Sequence, residues 1–254
     1  MPGRPFVLAE STWESICATS FEVAVLPWGA TEAHNRHLPY ATDTIQSEAV
    51  AIEAARLAWE RGARALVLPG VPFGVNTGQL EVPFCLNMNP STQHALLHDI
   101  ARSLAPHGVR KLVILNGHGG NDFRQMIREL QPTVDLLLCQ VNWYSCVDPR
   151  PFFSEPGDHA GELETSVMQH VAPDLVRPLT EAGPGKAKQF TVRGLREGWA
   201  WTPRHWVEVT EDTGVGNPSR ATVENGSRFF AAVTEQIAAF LNELSRADPA
   251  ALYE

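Results

Sequence analysis

Between Leu26 and Thr44 the chain reads LPWGATEAHNRHLPYATDT, and within that run stand Glu32, His34, His37 and Asp43. Carboxylates and imidazoles this dense, beside Gly and Pro turn residues, are poor material for a core. Directly behind the apolar stretch Val23 to Leu26, they are good material for a metal site at a strand end. A second run, Asn116-Gly117-His118-Gly119-Gly120-Asn121, follows another apolar stretch. A third, Asp158-His159-Ala160-Gly161-Glu162-Leu163-Glu164-Thr165, follows a loop. Mixed His and carboxylate donors suit divalent Zn, Mn or Fe. Asp43 has two oxygens and could bridge a pair of ions, which about 3.5–4 Å apart would share and activate a water. The chemistry these residues point to is metal-assisted hydrolysis.

Each residue also has a plainer use. Asp43 precedes a helical run and is placed to cap it. His37, beside Leu38-Pro39, suits bracing a backbone group better than holding an ion. The glycines around His118 suit close approach of backbone to a ligand. Glu162 and Glu164 are two residues apart and on a helix point to different sides, whereas His159 and Glu162, three apart, could share a face. Spacing alone does not choose between the two glutamates.

The elements that must position these runs can be read from periodicity. Phe21 to Leu26, Ala65 to Leu68, Lys111 to Leu115 and Val134 to Val141 read as buried strands. Between them fall helical patterns from Asp43 or Thr44 through Arg61, from Pro90 past Leu104, and from Asn121 to Leu130. Ser11 or Thr12 can cap a short helix near the start. Strand and helix alternating at this rhythm indicate βαβ units, a parallel sheet and helices on both faces. Open sheets of this kind bind ligands beyond the carboxyl ends of their strands, which is where Glu32, His34 and His118 fall. After Trp143 the order loosens, with a helix from Gly161 to Val171, a Trp-rich loop around Trp199, Trp201 and Trp206, and a last amphipathic helix from about Ala221 to Ser245. The Gly-, Pro- and Asn-containing connection from Pro69 to Pro90 is long for a compact domain, and such loops are often functional.

Composition narrows the function classes. The formal net charge of −9 and the scattered Lys and Arg argue against a nucleic-acid partner, which needs a basic stripe. No apolar run approaches the roughly 20 residues that span a bilayer, and MPGRPFVLAEST has no signal-peptide character, so a cytoplasmic protein is expected. Cys17, Cys85, Cys139 and Cys146 form no CxxC pair, which leaves reduced, mostly buried thiols as the expectation. There is no Gly-x-Ser-x-Gly elbow and no Gly-x-Gly-x-x-Gly or Walker loop, so neither a serine hydrolase nor a nucleotide cofactor is indicated.

Together the runs resemble the creatininase family of metal-dependent cyclic amidohydrolases. The family pattern is Glu-x-His-x-x-His-Leu-Pro, then Thr-Asp, then Asn-Gly-His, then His-Ala-Gly-x-x-Glu-Thr-Ser. The chain answers with Glu32 through Pro39, Thr42-Asp43, Asn116-Gly117-His118 and His159 through Ser166, in that order. The resemblance spans Val23 to the final helix. It implies a three-layer α/β/α sandwich with a mostly parallel central sheet, one domain over residues 1–254, and two divalent ions (Zn, Mn or Fe) per chain. It also implies a homohexamer. Carried over by position, Glu32, Asp43 and His118 would hold one ion, and His34 and Asp43 the second. Creatininase itself completes the second set with a Glu two residues after the Asn-Gly-His histidine. Here that position is Gly120, and Glu164 becomes the candidate replacement. His159 matches the family histidine near the scissile bond, where it, or Glu164, would handle a proton.

The expected activity is hydrolysis of a small cyclic amide or related substrate, a metal-activated hydroxide attacking its carbonyl. One alternative at the same site is hydrolytic C–C cleavage of a cyclic polyol ketone. A second is a non-catalytic relative that binds a ligand, which the glycine at 120 makes conceivable. The loop Val75 to Met88 and the Trp-rich stretch depart from creatininase and point away from creatinine itself. Asn76, Gln79, Trp199, Trp201 and His205 are the expected substrate contacts. A polar wall of Asn76, Gln79, Arg204 or His205 would favour the polyol reading, and an aromatic clamp of Trp199 and Trp201 the planar amide.

Overall fold

The computed structural model describes residues 3–253. Four strands, β1 (Val23–Trp28), β2 (Ala65–Val67), β3 (Lys111–Asn116) and β4 (Leu137–Asn142), form a wholly parallel sheet in the order β2-β1-β3-β4. The helices are α1 (Trp13–Cys17), α2 (Thr42–Glu60), α3 (Pro90–Leu104), α4 (Arg124–Leu130), α5 (Glu162–Val171), α6 (Arg193–Arg196), α7 (Trp206–Val209) and α8 (Val223–Arg246). Alternation along the strands sends successive side chains to opposite faces. Val23 and Val25 of β1 pack with α2 and α8 through Ala51, Ala54, Phe229, Val233 and Ile237. Ala24, Leu26 and Trp28 pack on the other face with Leu97 and Ala101 of α3 and Met126 and Leu130 of α4. Helices thus cover both faces, and the result is the expected α/β/α sandwich.

The strand register decides where the site can be. β1 and β3 are neighbours paired from Val23 opposite Lys111 to Trp28 opposite Asn116. Their carboxyl ends therefore finish side by side, and the loops carrying Glu32 and His118 leave from adjacent points. Trp28 and Phe123 pack beneath that edge with tilted rings, centroids 4.8 Å apart, and both are fully buried.

Element limits differ from the sequence reading where side chains are committed elsewhere. β1 runs on to Trp28 through Pro27, whose carbonyl still accepts from the Val71 N–H. α4 starts at Arg124 rather than Asn121, because the Asn121 amide is engaged with the loop around Val75 and with Gln93. The short first helix is capped by Thr12 in a reciprocal arrangement with Ser15. Asp43 does not cap α2. That position is Ala41, without a side-chain bond, and Asp43 lies inside the first turn with its carboxylate turned away from the backbone donors. The four thiols are free, as expected, but only Cys85 is buried; Cys17 is exposed and Cys139 and Cys146 are half-buried. Among the described residues no helix is long and apolar enough to cross a membrane.

Candidate metal centre

The segment between β1 and α2 folds back on itself. The Glu32 N–H donates to the Tyr40 carbonyl at 3.1 Å, and Leu38 N–H to that of His34. Closing this loop sets His34 against the first turn of α2, with its Nε2 3.0 Å from Asp43 Oδ1. Asn116 shapes the second loop: its Oδ1 accepts from His118 N–H at 3.2 Å, and its amide donates to the His118 carbonyl at 2.9 Å. His118 Nδ1 then lies 2.9 Å from Glu32 Oε1 and 3.0 Å from Asp43 Oδ2. The third run enters through Ala160, whose φ of 51° is in the left-handed region that costs a non-glycine residue of order 1 kcal/mol. That turn aims the Ala160 N–H at Glu164 Oε2, 2.5 Å away, and brings the same oxygen to 4.0 Å from His34 Nε2.

Three overlapping sets of ligand-type atoms result: Glu32, Asp43 and His118; His34, Asp43 and Glu164; and Glu32, His34 and His159. Glu32, His34, Asp43, His118 and His159 are all buried. Each histidine spends one ring nitrogen on a main-chain carbonyl: His34 Nδ1 on Glu32, His118 Nε2 on Val75, and His159 Nε2 on Ala33, at 3.1, 3.0 and 2.8 Å. The nitrogen bonded to the carbonyl is thereby fixed as the donor, and the other faces the carboxylates, where it is free to bind an ion or, without one, a proton. Asp43 Oδ2 is buried and, although 3.0 Å from His118 Nδ1, has no aligned hydrogen bond. Three carboxylates gathered this tightly need a cation, and among the described residues no Lys or Arg forms an ion pair with Glu32, Asp43 or Glu164. The donor set and the orphaned oxygen fit divalent metal.

Electrostatics within the protein alone tell the same story. Burial would lower the pKa of His34, but the carboxylates of Asp43, Glu164 and Glu32 together outweigh it and push the imidazole up to about 10. His118 is raised in the same way by Glu32 and Asp43 against burial. Burial opposes ionisation of Asp43, and His34 and His118 hold it well below the usual carboxylate range. Glu164 is pushed up by burial. Protons on the histidines stand where positive charge is required.

The two glutamates of the third run part company. Glu162 turns away and accepts from Ser154 Oγ at 3.0 Å and Glu155 N–H at 2.9 Å, while Glu164 faces the cluster with 17% of its side chain exposed. His37 stays outside, bonded through Nε2 to Thr165 Oγ1 at 2.9 Å, and burial followed by the nearby His34 lowers it to about 4. Gly120 could not carry a side chain as the loop stands. A Cβ there would lie 2.3 Å from the Val75 carbonyl oxygen and 2.4 Å from His118 Nε2, inside the hydrogen bond that orients His118.

A cavity of about 450 Å³ opens over the cluster, a size suited to a small ligand. Asn76, Gln79 and Trp201 line it; Trp199 and His205 do not. Trp199 lies against Gly194 with its N–H on Glu197, and His205 stands between Glu81 and Glu208. Asn76 and Gln79 are largely committed to protein. Asn76 donates to the Leu86 carbonyl at 3.1 Å. Gln79 donates to Glu32 Oε2 and accepts from Cys85 Sγ at 3.3 Å. Burial raises the Cys85 thiol, so it keeps the proton it donates. Asp158 and Trp206 also border the cavity, and Trp206 lies edge-on to His159 at 5.3 Å between centroids. Trp206 was visible in the sequence only as part of a Trp-rich loop; nothing in the spacing singled it out.

The family model for creatininase, described as creatinine amidohydrolase, matches residues 9–241. The mycofactocin precursor peptide peptidase of Mycobacterium tuberculosis is 33% identical over 241 residues, covering 90% of this chain and 87% of that one. A Bacteroides fragilis crystal structure, of a protein provisionally named a creatinine amidohydrolase, is 47% identical. It superposes with a TM-score of 0.93 over 98% of this chain and 99% of the other. A mutant creatininase described as Zn-Zn type is 25% identical with a TM-score of 0.78, covering 96% of this chain and all of its own.

Proposed function

This chain belongs to the creatininase family and is a hydrolase of that family, and on that premise we propose that it is a dinuclear metal-dependent amidohydrolase opening the C–N bond of a small, preferably cyclic, amide. The observation that carries the reading is the arrangement of His34, His118 and His159, each anchored by one nitrogen to a carbonyl with the other turned on shared carboxylates. In this reading Glu32, Asp43 and His118 hold one ion, and His34, Asp43 and Glu164 the other. Bound there, a pair of divalent ions supplies Lewis acidity toward the carbonyl and an acidified water.

The residues around them do the rest. Gln79, braced by Cys85, keeps the Glu32 carboxylate in one rotamer. His159, with Nε2 fixed on Ala33, presents Nδ1 toward Glu32 and the cavity. That nitrogen is placed to take the proton from the attacking water and return it to the departing nitrogen. Trp206 holds the His159 ring edge-on and limits water on that side. Exposed Trp201 forms an aromatic wall on which a planar ring can lie. Of the polar wall that would favour the polyol alternative, the Asn76 NH2 and the Gln79 amide are bonded to protein and His205 stands outside the cavity, which leaves Arg204. The relative that acts on a precursor peptide extends the same C–N chemistry to peptide bonds. Assembly into a homo-oligomer belongs to the proposal, and exposed Leu80, Phe84 and Trp199 supply apolar surface for it.

Chelator treatment should abolish hydrolysis of cyclic amides in a screen, and Zn or Mn should restore it. Undiminished turnover by metal-free protein would end the proposal.

A further inference from the structure

The cavity wall carries an ion pair, Arg204 with Asp158, that amide hydrolysis as such does not require. Arg204 is the sole Lys or Arg among the residues lining it. Its Nη1 lies 2.6 Å from Asp158 Oδ2, and its guanidinium carbon lies 4.6 Å from the centroid of the Trp206 ring. Stacked on one face and tied at one edge, the guanidinium still has further N–H donors, and the side chain remains 36% exposed. Its backbone is seated as well. A Cβ at Gly78 would fall 2.0 Å from the Arg204 carbonyl oxygen, so a glycine at 78 lets the two loops meet. The Trp206 ring under the guanidinium is the one that lies edge-on to His159. A rigid contact chain thus runs from the cation to the histidine placed at the departing nitrogen.

Resting on the amidohydrolase reading, we propose that Arg204 selects amides that carry a carboxylate on the departing-nitrogen side, as in an N-acyl amino acid, a lactam of one, or the end of a peptide. A guanidinium recognises carboxylate through paired, charge-assisted hydrogen bonds. The rest of the wall makes the cation selective. Glu32, Asp43, Glu164 and Asp158 all border the cavity, so an anionic substrate meets attraction only from the metal ions and from Arg204. Orientation follows: the carbonyl goes to the ions and the carboxylate to the guanidinium. The reversed pose leaves the guanidinium facing only a neutral amide carbonyl, a weaker partner than a carboxylate. Asp158 shares the guanidinium and keeps it compensated before substrate arrives, which tempers affinity. Hydrolysis adds water across the C–N bond: an N-acyl amino acid gives a carboxylic acid and an amino acid, and a lactam opens to a single amino acid carrying the new carboxylate.

The test uses full-length protein loaded with zinc and two matched pairs differing only by the carboxylate: pyroglutamate against 2-pyrrolidinone, and N-acetylglycine against N-methylacetamide. Binding is read from tryptophan fluorescence, since Trp201 and Trp206 border the cavity, and hydrolysis from amine release. The carboxylate member of each pair should bind about tenfold or more tighter, the scale of a charge-assisted hydrogen bond. Arg204→Gln should erase that preference and Arg204→Lys keep part of it. Asp158→Asn, which frees the guanidinium, should widen it, and serves as the test if Arg204→Gln does not fold. Equal or undetectable binding of the carboxylate members by the wild type overturns the inference, as does a preference that survives in Arg204→Gln. Carboxylate preference without hydrolysis of any amide would sink the amidohydrolase reading and leave this one standing. Hydrolysis of the neutral amides without such a preference would do the reverse.

Discussion

Replacing Glu164 with glutamine removes one negative charge from the cluster while keeping an oxygen to accept the Ala160 N–H. The Glu164 oxygen is 4.0 Å from His34 Nε2, which is 3.0 Å from Asp43 Oδ1. Donors bind a divalent ion at about 2.0–2.2 Å, so two of them spanning one ion stand no more than about 4.4 Å apart, and both separations qualify. Without Glu164, that set keeps two strong donors, whereas Glu32, Asp43 and His118 keep all three. Changes merely outside a metal's ligand shell cost 10–100-fold in affinity. Losing a ligand should then weaken the second ion by more than about 100-fold, near 2.7 kcal/mol, with the first ion changed far less. Elemental mass spectrometry of protein purified without chelator, with zinc titration against a chromogenic chelator, reads both constants. The wild type should carry close to two ions per chain and Glu164→Gln close to one. Glu162→Gln is the control: its carboxylate is spent on Ser154 and Glu155, so metal content should not move. Two tightly held ions in Glu164→Gln, or loss of an ion in Glu162→Gln alone, would refute the assignment.

The other predictions concern the residues that support the cluster. Gln79→Leu removes the amide that holds Glu32 and should weaken the first ion by about 10–100-fold, measured by the same competition. In chelator-stripped protein the raised pKa of His34 makes its charged form a stabilising partner of Asp43. That stability is fully present below about pH 6.5 and lost as pH rises toward about 10; thermal melts across that window should fall, and His34→Gln should flatten the slope. Phe123→Ala opens a cavity under Trp28 in the second core and should cost about 3–5 kcal/mol, read from urea unfolding with an unchanged far-UV spectrum.

Much of this protein lies within reach of short windows of sequence. Apolar runs of about four to eight residues alternating with helical periodicity state the parallel sheet and its two helical layers, because those periods follow from backbone geometry. The positions of Glu32, His34 and His118 just past strands β1 and β3 follow as well, since parallel strands deliver their carboxyl ends to one edge. What side chains do beyond that edge depends on loops whose shape is set by distant contacts. Asp43 reads as a helix cap until His34 and His118 are seen to claim its oxygens. Glu162 and Glu164 are equivalent by spacing and are separated by the left-handed turn at Ala160 and by the Ser154 loop that takes Glu162. Trp199 and His205 share a loop with Trp201 and Arg204, yet only the latter two border the cavity. Gln79 and Cys85 come to Glu32 from about fifty residues away. A local pattern records which residues can do chemistry; the direction in which each one points is decided by packing between segments far apart in the chain.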